Sequence, residues 1–190
     1  MVPNPAALRA RLLAAGAQPG FSGFMQDRRY DHDGVLQARE EVLRLRVLRA
    51  PEGSEETLLS WKGPTTITPE GYKGRRELEY RIRGTRASPE ELLHAVGFRE
   101  IHRIDRYVEF FSLGNAALRL EWYPRMDVLL EVEGDAEAIE AGLRATGLPR
   151  SEFTADSLNG FAQRYAARTG RPALLALDPA GGEPSSWESR

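Results

Sequence analysis

The chain has 190 residues, a net charge of -2 and 28% charged side chains, which is length enough for a real core but no general nucleic-acid-binding surface. It contains no cysteine, so disulfides, thiolate metal sites and cysteine nucleophiles are excluded. No apolar run approaches a membrane span and the start has no signal-peptide pattern, so a cytoplasmic protein is expected. The basic residues are nearly all Arg: Lys62 and Lys73 are the two lysines.

Asn4-Pro5 reads as an N-cap followed by proline at the first helical position, with Leu8, Leu12 and Ala15 as the apolar stripe and Gly16 as the stop. Residues 24–30 read as a strand and residues 31–34 as a turn. Residues 43–49 alternate Leu43, Leu45 and Val47 against Arg44 and Arg46, a strand with a cationic side. Residues 57–62 return it after a turn at 51–54. The loop 63–74 is rich in Gly, Pro and Thr and is expected near a site entrance.

Residues 75–83 form the strand that organises the rest. Arg76, Leu78, Tyr80 and Ile82 fall on one side, and Arg75, Glu77, Glu79, Arg81 and Arg83 on the other. Its apolar side is expected to face the core. Ser88-Pro89-Glu90-Glu91 opens a second helix with a capping box, closed by Gly97. Residues 98–111 form a long strand, and 116–123 and 128–133 form the last two. Asp135 caps a third helix ending at Gly147, and a fourth runs over 157–169. The Gly-, Pro- and Ser-rich end reads as a disordered tail, giving a domain over 1–170 and a tail over 171–190.

Strands outnumber helices and the turns imply antiparallel pairing. Several strands are charged on one side, so their apolar sides must pack outward against helices. The expected fold is α+β: an antiparallel β-barrel or tunnel of about eight strands, or one fewer, with helices outside and a polar bore.

Two Glu-x-Glu pairs, Glu77/Glu79 and Glu131/Glu133, place carboxylates roughly 7 Å apart on strand faces. That spacing suits hard cations such as Mg²⁺ or Mn²⁺ with phosphate oxygens completing the shell. Glu121, on the same face as Arg119, could add a fifth carboxylate. The cationic set is Arg44, Arg46, Lys62, Arg75, Arg106 and Arg119, with Arg81 and Arg83 farther along. Guanidinium forks and a lysine point charge suit a polyanion; the alternative is that each cation neutralises a glutamate across the sheet. His32, His94 and His102 have no metal-ligand spacing or triad partner. No phosphate-binding glycine loop or dinucleotide fingerprint is present.

Together these segments resemble the CYTH superfamily, the triphosphate tunnel enzymes that include class IV adenylate cyclases and thiamine triphosphatases. The resemblance is carried by Leu43-Arg44-Leu45-Arg46, Leu59-Ser60-Trp61-Lys62-Gly63-Pro64, Arg75-x-Glu77-x-Glu79, Gly97-Phe98 leading to Arg106, Leu120-Glu121 and Leu130-Glu131-Val132-Glu133-Gly134, from about residue 5 to 170. It implies an eight-stranded antiparallel barrel that binds triphosphate with divalent metal. Glu77, Glu79, Glu131 and Glu133 would be metal-side carboxylates, and Arg44, Arg46, Lys62, Arg75 and Arg106 triphosphate ligands. Lys62 and Glu131 are the expected catalytic residues.

Three departures stand beside it. The family's opening Glu-x-Glu-x-Lys strand is not seen, Ile104-Asp105-Arg106 replaces a Lys-x-Arg, and Glu121 replaces an Asp. The first leaves two readings, a start placed too late or a protein without full activity. The resemblance implies a metal-dependent enzyme on a nucleoside or other organic triphosphate, or inorganic polyphosphate, either cyclase or triphosphatase. The alternative is a non-catalytic triphosphate or polyphosphate binder with a degenerate metal site. No membrane and no specific nucleic acid is expected as a partner, and a homodimer is left open.

Overall fold

The computed structural model describes residues 1–83 and 88–177. Among the described residues nine strands and five α-helices follow one another: α1 (Pro5–Ala14), β1 (Gln18–Asp31), α2 (Val35–Ala38), β2 (Val42–Arg49), β3 (Glu55–Lys62), β4 (Thr66–Ile67), β5 (Lys73–Gly74), β6 (Glu77–Ile82), α3 (Pro89–Ala95), β7 (Arg99–Leu113), β8 (Ala116–Trp122), β9 (Leu129–Glu133), α4 (Ala136–Thr146) and α5 (Leu158–Thr169). Seven strands form one sheet in the order β6-β3-β2-β1-β7-β8-β9, while β4 and β5 form a separate pair. The pairs β1–β2, β2–β3, β3–β6, β7–β8 and β8–β9 are antiparallel. This is the α+β, antiparallel architecture expected, with one strand fewer than eight in the main sheet. Among the described residues the pairing order is open, with β6 and β9 as its outer strands.

The described residues fall into two compact units, the first comprising 1–23 and 106 onward, the second 24–105. In the first, Leu8 and Leu12 of α1, Leu118 and Leu120 of β8 and Ala138 of α4 are buried in one cluster with Phe111 and Trp122. Helix α1 begins where Ala7 N–H donates to Asn4 Oδ1 at 3.0 Å with Pro5 behind it, satisfying an otherwise orphaned donor. Helix α4 begins on Asp135, whose Oδ1 accepts from Ala138 N–H at 2.8 Å, and ends at Gly147 with φ 65°, a left-handed cap that glycine adopts without strain. Gly142 lets α4 approach β9: a Cβ there would stand 2.9 Å from Val132 Cγ1. Leu174 forms a backbone bridge with Arg125 in both directions. The remainder of the expected tail, 178–190, lies outside the described residues.

In the second unit, Tyr30, Leu45 and Leu93 are buried together, with Leu43, Leu59, Ile82 and Phe98 packed on them. Helix α3 carries the expected capping box of Ser88 and Glu91. Three expectations are corrected here. The strand over 75–83 is shorter, so Arg75 precedes it. Its apolar side is not buried throughout: Leu78 is 40% and Tyr80 69% exposed, because β6 is an outer strand paired only to β3. The loop 63–74 contains the β4–β5 ladder, in which Thr66 pairs with Gly74 and Ile67 with Lys73. Unforeseen, too, is short α2 after the turn, held by the buried Asp31 carboxylate, which accepts from the backbone N–H groups of His32, Leu36 and Gln37. No helix among the described residues is long and apolar enough to cross a membrane.

Candidate functional site

Strand parity and register place one charged face on the second unit. Asp27 stands opposite Arg46, Arg44 opposite Ser60, and Ser60 and Lys62 opposite Glu79 and Glu77. Paired residues in an antiparallel ladder share a face, so this side runs continuously from β1 through β2 and β3 to β6. The other side of the same strands supplies the apolar cluster of Tyr30, Leu45 and Leu59.

Three cations on this face are anchored by carboxylates. Lys62 Nζ donates to Glu77 Oε1 at 2.7 Å and Arg75 Nε to the same oxygen at 3.1 Å. Arg44 Nε donates to Ser60 Oγ at 3.1 Å, and its terminal nitrogens lie 3.6 Å from Asp27 and 3.5 Å from Glu79. Burial lowers the Lys62 ammonium from its ordinary value, opposed by Glu77 and aided by Arg44. Burial raises the Glu77 carboxyl, but Lys62 and Arg75 outweigh it and hold it below its ordinary value. Glu77 and Glu79 are about half exposed, whereas the Lys62 side chain is 11% exposed.

Arg46 is engaged differently. Its fork closes on the buried Asp27 carboxylate, Nε to Oδ1 at 2.7 Å and Nη2 to Oδ2 at 2.8 Å. Asp27 is a site residue that sequence reasoning missed. Its strand-face parity was legible, but the register opposite Arg46 was not, because α2 interrupts the β1–β2 connection. Arg81 pairs with Glu56 at 2.6 Å and Arg83 is exposed.

The first unit carries its own mixed set. Arg119 and Glu131 are register partners, and their side chains form an ion pair. Glu121 is buried between two arginines: its Oε1 accepts from Arg106 Nε at 3.1 Å and Arg119 Nε at 2.6 Å. Its Oε2 accepts from the Tyr123 hydroxyl. Burial raises this carboxyl, but Arg106, Arg119 and Tyr123 overcome the cost and hold it at about 2. The Tyr123 phenol is pushed up by its own burial and by Glu121. Arg106 also lies 5.9 Å from the Tyr123 ring centroid, and Arg119 5.5 Å from that of Phe110. Glu133 stands opposite Ala117 on the same side of the ladder as Glu131, exposed. The opposite side of β7 holds Glu109, buried and gripped by Arg9 of α1, which ties a helix to the sheet.

The expected site residues thus divide. Arg44, Lys62, Arg75, Glu77 and Glu79 come together in the second unit, and Arg106, Arg119, Glu121 and Glu131 in the first. Among the described residues no group of three or more His, Asp or Glu is placed to hold a metal ion. Chemically, each set offers charge-assisted donors now spent on carboxylates, and most of those carboxylates are exposed enough to be exchanged for another anion.

Solved structures with a similar fold exist. The PH1819 protein of Pyrococcus horikoshii is 21% identical at a TM-score of 0.65, covering 88% of this chain and 96% of that one. A candidate adenylate cyclase of Vibrio parahaemolyticus is 18% identical at 0.69, covering 85% and 93%. The chain shares their fold. HpAC1 of Hippeastrum, a candidate adenylyl cyclase with a dominant triphosphatase activity, is 16% identical at 0.56 over 96% of both chains. No family model and no curated protein matches the sequence.

Proposed function

We propose that this chain is a CYTH-like, metal-dependent phosphoryl-transfer enzyme acting on a triphosphate. The observation that carries the reading is the face of the second unit where Arg44, Lys62 and Arg75 converge on Glu77 and Glu79. Cations from separate segments, held ready by exposed carboxylates, suit a ligand whose negative charge is spread over several oxygens. The names of the Vibrio and Hippeastrum neighbours favour the same substrate class.

Arg44 and Arg75 would fork onto phosphate oxygens and Lys62 would supply a point charge. In the first unit, Arg106 and Arg119 offer the same chemistry. Glu77 and Glu79 in the second unit, and Glu131 and Glu133 in the first, each offer a pair of exposed carboxylates two residues apart, and such oxygen donors suit Mg²⁺ or Mn²⁺. Glu121, buried with both oxygens engaged, does not fit such a role. When bound, the cation supplies neutralisation of phosphate charge. We assign Lys62 and Glu131 to the chemistry, Lys62 on a phosphate oxygen and Glu131 on the cation side. Attack of water on the terminal phosphorus would release orthophosphate. Attack of the ribose 3′-hydroxyl of ATP on the α-phosphorus would release pyrophosphate and leave a cyclic monophosphate.

The test is turnover of ATP, thiamine triphosphate and tripolyphosphate with and without Mg²⁺ or Mn²⁺, with product analysis. Metal-dependent release of orthophosphate or pyrophosphate is expected. Binding of tripolyphosphate without turnover would favour a second reading, a non-catalytic polyphosphate binder. That reading is supported by the lack, among the described residues, of three converging carboxylates.

A further inference from the structure

Glu121 and Tyr123 have no evident reason to be polar if they serve only the core. Both are buried, at 5% and 1% exposure, where an ionised carboxylate is costly unless fully partnered. Glu121 is fully partnered: one oxygen takes both Nε groups of Arg106 and Arg119, and the other takes the Tyr123 hydroxyl. The Nε–H of each arginine is therefore spent at the base of its fork. This fixes the plane of each guanidinium, and in Arg119, whose side chain is 15% exposed, it leaves the terminal nitrogens as the part able to reach another group. Arg119 uses one of them on Glu131, whose side chain is 45% exposed. The aromatic rings of Tyr123 and Phe110 lie beside the two guanidiniums and further limit their rotation.

From this we infer that Glu121 and Tyr123 are positioning residues: Glu121, steadied by the Tyr123 hydroxyl, pre-orients the Arg119 fork for a polyphosphate and does not ligate metal. The role rests on the proposed function, since it presumes that Arg119 receives phosphate oxygens. It makes a prediction opposite in sign to plain electrostatics. Removing a negative charge beside an anion site ought to tighten anion binding. Removing an orienting group ought to weaken it, because the Arg119 fork must then be ordered at the moment of binding.

The experiment titrates inorganic tripolyphosphate into the full chain without divalent cation, and Mn²⁺ separately, for the unsubstituted protein, Glu121→Gln, Tyr123→Phe, Arg119→Ala and Arg119→Ala combined with Glu121→Gln. Glu121→Gln should weaken tripolyphosphate by about tenfold and Tyr123→Phe by about threefold, both with Mn²⁺ affinity unchanged. In the Arg119→Ala background the Glu121 substitution should lose most of its effect, which a merely structural role would not produce. If Glu121→Gln does not fold, Tyr123→Phe decides alone. Unchanged or tighter tripolyphosphate binding, or a loss of Mn²⁺ affinity, overturns the positioning role while the proposed function stands. Failure of the unsubstituted chain to bind tripolyphosphate with or without Mn²⁺ overturns the function itself, and this role with it.

Discussion

At the scale of single residues, the notable feature is how the carboxylates differ in what surrounds them. Glu77 and Glu79 are about half exposed, whereas Glu121 is sealed among Arg106, Arg119 and Tyr123. Its carboxyl sits at about 2, below the 4.5 of an ordinary glutamate. A group depressed in the folded state stabilises the fold above its unfolded value, and that contribution drains away as the pH falls through the folded value. Thermal melts should therefore show stability declining from about pH 5 towards pH 2, and Glu121→Gln should flatten that decline. An unchanged acid limb in the variant would place the loss elsewhere. Lys62 and Glu131 separate the two proposed roles. Lys62→Ala should weaken tripolyphosphate by about tenfold or more and leave Mn²⁺ binding nearly intact. Glu131→Gln should do the reverse, and titration calorimetry reads both. Equal, negligible effects would remove both assignments.

Among the elements, β1 and β2 show how a polar face is stabilised from within. Arg46 would be an unpaired charge at 6% exposure without Asp27, itself 2% exposed. Removing one partner of such a pair strands the other, at about 3–5 kcal/mol, so Asp27→Ala should lower unfolding stability by that order in urea. A loss within experimental error would mean that Arg46 relaxes to solvent. The strand pairs also explain what was legible beforehand. Alternation of Leu43, Leu45 and Val47 with Arg44 and Arg46 revealed which side of β2 is charged, because period two follows from backbone geometry alone. Helix starts at Asn4, Ser88, Asp135 and Ser157 were equally readable, since capping is local. Register is not local: nothing in the sequence sets Asp27 opposite Arg46 once α2 intervenes. The exposure of Leu78 and Tyr80 was likewise hidden, because it depends on β6 being the last strand on its side of the sheet.

For the molecule as a whole, likeness to solved structures at 21% identity or less carries the fold and no more. The function rests on the charged residues themselves. A net charge of -2 with 28% charged side chains means that any anion must be held by local arrangement, not by a general field. That arrangement exists in each unit, built from cations already oriented by carboxylates. Glu121 illustrates the limit of motif reading: its strand position suggests a metal ligand, while both of its oxygens are engaged by Arg106, Arg119 and Tyr123. The account is tested most directly by isothermal titration of inorganic tripolyphosphate into the full chain, with Mg²⁺ present and absent. Saturable binding near one equivalent that is strengthened by Mg²⁺ and weakened by Lys62→Ala is the expected result; no saturable binding under either condition would contradict the account.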